Sequence, residues 1–136
     1  MKKLCAALFI LLGLASAAQA ENAVGPSNAI LCNKVANVAV GPTSATQLVA
    51  GVPGQSIFIC GWQVTNTAAN GTFTFSYGTG STCTTPTVLV TAQNINNAAP
   101  SANNIGFAQM QTAPGAALCV TPSVATIATT VWYSQF

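Results

Sequence analysis

Runs of β-branched and aromatic residues recur along this 136-residue chain, and each is closed by a turn signal. They predict strands near 35–40, 46–50, 56–66, 72–78, 86–92, 104–110, 116–121 and 126–136. Gly41-Pro42, Pro53-Gly54, Asn70-Gly71, Gly78 to Ser81, Pro100, Pro114-Gly115 and Pro122-Ser123 lie between them. Glycine and proline end a strand there by setting φ or removing a donor. The expected fold is all-β, a single antiparallel β-sandwich or jelly-roll-like domain over residues 32–136 with about eight strands.

The alternation is sharpest around Asn70-Gly71. A type I′ turn needs positive φ at both central residues, which Asn-Gly supplies. A two-residue hairpin there would set Ala69 opposite Thr72, Ala68 opposite Phe73, Asn66 opposite Phe75 and Val64 opposite Tyr77. The side-chain period of two then places Phe58, Cys60, Trp62, Val64, Phe73, Phe75 and Tyr77 on one face. That face is the expected core. Thr65, Thr67, Thr72, Thr74 and Ser76 fall on the other. The run from Thr126 to Phe136 is expected to dock in a sheet, because a frayed aromatic tail would expose a sticky patch. The Asn-rich stretch 93–104 reads as a surface loop, and 21–31 as a flexible lead-in.

The first twenty residues follow a different pattern. Met1-Lys2-Lys3 is a basic start, Leu4 to Ala15 an apolar run, and Ala18-Gln19-Ala20 a small-x-small end. Together they predict a signal peptide cleaved after Ala20. The apolar run is shorter than the roughly 20 residues that span a bilayer, so no membrane insertion is expected after cleavage. The location expected is secreted, extracellular or periplasmic.

Export changes the charge. The whole chain carries three basic residues and one acid, but Lys2 and Lys3 leave with the signal. Lys34 and Glu21 remain, so the net charge is 1 − 1 = 0. Nucleic acid and anionic membrane both call for clustered Lys or Arg, and neither is an expected partner.

Cys32, Cys60, Cys83 and Cys119 also remain, an even number in an exported chain, which points to two disulfides. Four cysteines allow three connectivities; Cys32–Cys60 with Cys83–Cys119 is favoured. On the hairpin register Cys60 would lie on the core side, where a disulfide can tie one layer to the other.

Catalysis lacks its usual groups. There is no His, no Asp and one Glu, so a Ser or Thr nucleophile has only Lys34 or Glu21 as a base, and paired carboxylates are impossible. No CxxC pair exists for zinc or redox work. Gly78-Thr79-Gly80 lacks the spacing of a nucleotide loop. No enzyme activity, catalytic residue, metal or cofactor is expected. Trp62, Trp132, Tyr77 and Tyr133 have rings that can stack on sugars, although strand aromatics are more often core.

Phe58-Ile59-Cys60-Gly61-Trp62, Tyr77-Gly78-Thr79-Gly80-Ser81-Thr82-Cys83, Leu118-Cys119 and the terminal Val131-Trp132-Tyr133-Ser134-Gln135-Phe136 form a set. This set resembles small β-rich proteins of phage and bacterial genomes that share ICG, YGTGxxC, LC and a terminal aromatic-Gln segment. The resemblance implies a disulfide-bonded β-sandwich with a structural or surface role. A signal peptide departs from a virion protein, which assembles in the cytoplasm, and favours a bacterial surface. A fainter likeness is to chaperone–usher pilins, although no donor-strand segment is evident in 21–31.

The expected function is therefore a non-catalytic exported structural or surface protein that self-associates or coats a surface. The alternative is a secreted binding module for glycan or another cell-surface ligand, using the segments 93–104 and 65–72. A virion surface or decoration protein is a further alternative.

Overall fold

A computed structural model describes residues 29–41, 43–66, 70–96, 101–104, 108–123 and 126–136. The expected signal peptide and most of the lead-in lie outside the described residues. Among the described residues nine strands form two antiparallel sheets. They are β1 (Lys34–Val40), β2 (Thr46–Val49), β3 (Ile57–Asn66), β4 (Gly71–Thr79), β5 (Thr84–Ile95), β6 (Ser101–Asn104), β7 (Met110–Gln111), β8 (Ala117–Pro122) and β9 (Ile127–Gln135). The first sheet runs β1-β9-β3-β6, with β7 also on β3; the second runs β2-β8-β4-β5. This is the two-sheet sandwich that the strand pattern predicts, with nine strands rather than about eight.

Packed between the sheets are Val40, Ile57, Ile59, Trp62, Val64 and Val131 of the first and Phe73, Phe75, Leu118 and Val120 of the second, among others. Trp62 meets Phe75 edge-on, with ring centroids 5.6 Å apart, and Phe75 meets Phe73 at 5.3 Å. Such edge-to-face pairs direct a ring's positive rim at its neighbour's negative face. The terminal run docks as expected. β9 lies in the middle of the first sheet, between β1 and β3.

The expected Asn-Gly hairpin does not form, because β3 and β4 belong to different sheets. Val64 pairs with Thr129 and Ser101, not Tyr77; Phe75 pairs with Val90 and Val120, not Asn66. Among the described residues the left-handed glycines are Gly54, Gly80 and Gly115, and Gly71 is not one of them. The physical reason is burial. A hairpin would lay the apolar faces of β3 and β4 side by side, still needing a cover. Crossing between sheets buries each face against the other, which outweighs a local turn preference. On β4 the alternation holds at Phe73 and Phe75, which are buried while Thr72 and Thr74 are not, but Ser76 of the opposite face is buried as well.

Phe58, expected in the core, lies outside it. Ile59 pairs with Tyr133 and Gly61 with Trp132, so Cys60 is the extra residue of a β-bulge. The bulge reverses the alternation. Ile57 and Ile59 point inward before it and Trp62 and Val64 after it, leaving Phe58 half-buried on the outer side, stacked on Phe136 at 4.7 Å. Tyr77 is also half-buried rather than core, since it stands where the sandwich opens at its end.

The Asn-rich stretch is likewise not a loop where it is described. Residues 93–95 end β5 and 101–104 form β6, whose backbone pairs with Gly61–Val64 of β3. Ile95, 1% exposed, anchors the stretch in the core. Of the predicted strand 104–110, Asn104 ends β6 and Met110 begins β7, while 105–107 lie outside the described residues.

Candidate functional site

The disulfides are Cys32–Cys60 and Cys83–Cys119, the favoured pairing. Neither joins the two sheets, contrary to expectation. The first ties the segment before β1 to the bulge of β3, within the first sheet. Hydrogen bonds hold the same segment. Ser134 Oγ donates to the Leu31 carbonyl at 2.7 Å and accepts from the Asn33 N–H at 3.3 Å, while Ala108 N–H donates to the Ile30 carbonyl at 2.8 Å. Ser134 is buried beneath this strap. Residues 29–33 thus cross the outer side of the first sheet from β1 to β7.

The second disulfide joins the β4–β5 turn to β8 and forms a small apolar cluster with Ala117. That cluster lies on the outer side of the second sheet, since Ser76 and Gly78 pair with Cys119 and Ala117 while Phe75 and Tyr77 face inward. The turn is drawn close over β4. A Cβ on Gly78 would stand 2.8 Å from the Thr84 carbonyl oxygen and 3.0 Å from the Cys83 carbonyl carbon, so only glycine fits there. Cys83 and Thr85 take φ of 47° and 53°, a region β-branched residues rarely enter. Backbone strain of this kind persists only where surrounding structure imposes it, and here the disulfide and the ladder do.

Beside this strained turn lies a groove of about 490 Å³. Tyr77, Thr79, Thr85 and Thr87 line it together with Pro53 and Pro114. No ionisable acid or base lines it, so what it can offer a ligand is an aromatic face and neutral hydrogen bonds. Of the other aromatics singled out for stacking, Trp62 is in the core and Tyr133 packs against it, with the Lys34 ammonium 6.0 Å from its ring centroid. Trp132 is half-buried on the outer side of the first sheet, paired with Val35 and Gly61. The segments 93–104 and 65–72, expected to offer binding loops, are mostly strand where described. The groove instead comes from the 53–54, 79–87 and 113–116 segments, which single residues in the sequence do not bring together.

The remaining notable surface is the sheet edges and exposed apolar side chains, with Val35 53%, Val88 54%, Leu31 44% and Phe136 40% exposed. Among the described residues Lys34 is the one side chain that carries charge. No helix of the described residues is long and apolar enough to cross a membrane, and no cluster of metal-ligating side chains occurs among them. The described residues thus define a small disulfide-stapled β-sandwich whose exterior carries a single charged side chain, Lys34. Compared with protein families, curated proteins and solved structures, the chain matches none.

Proposed function

We propose that this is an exported, non-catalytic structural or surface protein that acts by associating with copies of itself. The observation that carries the proposal is the exterior. Lys34 is the only charged side chain on the described surface, so the repulsion that keeps most small proteins apart is missing. Two disulfides suit an oxidising compartment, in keeping with a signal peptide ending at Ala20 and with the likeness to small phage and bacterial β-rich proteins. A side-chain set with one acid and no His supports the absence of acid–base catalysis. Light scattering after size-exclusion chromatography of residues 21–136 tests it: an oligomer is expected at micromolar concentration, and a clean monomer would overturn self-association.

A second reading rests on the groove. Tyr77 with Thr79, Thr85 and Thr87 offers a neutral stacking and hydroxyl surface of the kind a glycan uses. Glycan-array binding that is lost in Tyr77→Ala is the result it requires.

A further inference from the structure

We infer that β1 is the edge through which two copies join, its strand pairing antiparallel with β1 of a second copy about a twofold axis at Asn37. The inference rests on the self-association proposed above and names its surface.

A sheet edge attracts another strand through unpaired N–H and C=O groups, and proteins blunt edges with shortness, bulges and proline. Three of the four edges here are blunted. In the first sheet, β6 and β7 have four and two residues. In the second, β2 has four residues and shifts register between Gln47 and Val49. β5 is long, but its ladder with β4 shifts register three times and it contains Pro86. Bulges twist an edge away from a flat approach. β1 is neither short, bulged nor interrupted by proline, and the one charge it carries, Lys34, stands at its first residue. Its seven residues pair with β9 without interruption, from Lys34 opposite Tyr133 to Val40 opposite Ile127, and no other described strand pairs with it.

The strand also complements itself. With the axis at Asn37, Val35 meets Ala39, Ala36 meets Val38 and Lys34 meets Val40 of the other copy. Because these positions differ by even numbers, inward residues meet inward ones and outward meet outward. Ala36 and Val38, both half-buried against the core, would extend the apolar layer across the junction, and Val35, 53% exposed, would be covered on its edge side by Ala39 of the other copy. The two Lys34 ammonium groups would sit at opposite ends of the paired strands, roughly 20 Å apart at 3.3 Å per residue, well beyond the Debye length of about 8 Å. An isologous contact of this type closes at two copies.

Asn37 is exposed, so it can be changed without disturbing the core. Asn37→Lys sets two ammonium groups directly opposite each other on the axis, which is repulsive. The expected result is a monomer at low salt that recovers dimer mass near 1 M salt, where the Debye length is about 3 Å. Cysteine placement gives an independent readout on protein whose native disulfides are already formed. Asn37→Cys should cross-link two copies on mild oxidation, because opposed Cα atoms lie about 4.5–5.5 Å apart. Val35→Cys alone should not, whereas Val35→Cys with Ala39→Cys should. If the unmodified chain associates but Asn37→Lys leaves its mass unchanged, or Asn37→Cys does not cross-link, the β1 edge is overturned and self-association stands. If the unmodified chain is a folded monomer, both fall.

Discussion

The bulge at Cys60 decides which side of β3 is the core, and truncation on either side of it measures that decision. Ile59 is 2% exposed and Ile57 is fully buried, and removing a buried isoleucine side chain to Ala costs about 2–5 kcal/mol. Ile59→Ala should lie near the middle, at about 3 kcal/mol. Phe58 is half-buried on the outer side with Phe136 as its main ring partner. Its loss removes a stacked pair worth about 0.5–1.5 kcal/mol plus about half the burial of a Phe ring, so Phe58→Ala should cost about 1.5–2.5 kcal/mol, less than Ile59→Ala. An unbroken alternation counted back from Trp62 inverts the order. Phe58 would then be core at about 3–5 kcal/mol, and Ile59 a surface site within about 0.5 kcal/mol. Urea denaturation with both disulfides intact separates the two cases. With a slope of about 1.5 kcal/mol per molar, the midpoint should fall by about 2 M in Ile59→Ala and by about 1–1.7 M in Phe58→Ala. A larger drop for Phe58→Ala would refute the bulge.

Replacing Cys32 and Cys60 together by Ala, or Cys83 and Cys119, should each lower stability by about 3.5–4 kcal/mol on the chain-entropy account for separations of 28 and 36 residues, read from denaturant midpoints. Gly51→Ala should cost at least about 1–3 kcal/mol in the same assay, because its Cβ would run into the Gly115 carbonyl oxygen and stand 2.8 Å from the Ala116 carbonyl carbon, both backbone. Thr112→Val should cost about 1–3 kcal/mol, since the Ile57 N–H donates to Thr112 Oγ1 at 3.0 Å in a buried place and would lose its acceptor. Stability should stay nearly flat between pH 5 and 8, because a chain with no His and one acid offers little that titrates there besides the α-amino group. A calorimetric melting temperature that moves by more than a few degrees across that range would contradict this.

How much of the fold the residues disclose depends on the range of the interaction involved. Strand positions follow from β-branched and aromatic runs between Gly and Pro, and these act within a few residues. Seven of the nine strands therefore fall on predicted runs, and Phe73 and Phe75 face the core as alternation requires. The scarcity of charge and the absence of His are also properties of the chain alone, and they frame the functional proposal more than any groove does.

Partners are another matter. Asn70-Gly71 favours a hairpin locally, but β3 pairs with β6, β7 and β9 and β4 with β5 and β8, and only the assembled sandwich offers Trp62 the opposing face of Phe75. The bulge at Cys60 exists because β3 must keep pairing with β9 while Cys60 reaches Cys32, a constraint spread over some 100 residues. The strained turn at Thr85, the groove beside Tyr77 and the unblunted edge at β1 come about in the same way. Local periodicity determines which side of a strand is apolar. Only the burial of those sides against one another decides which strands are neighbours, and so which edge is left open.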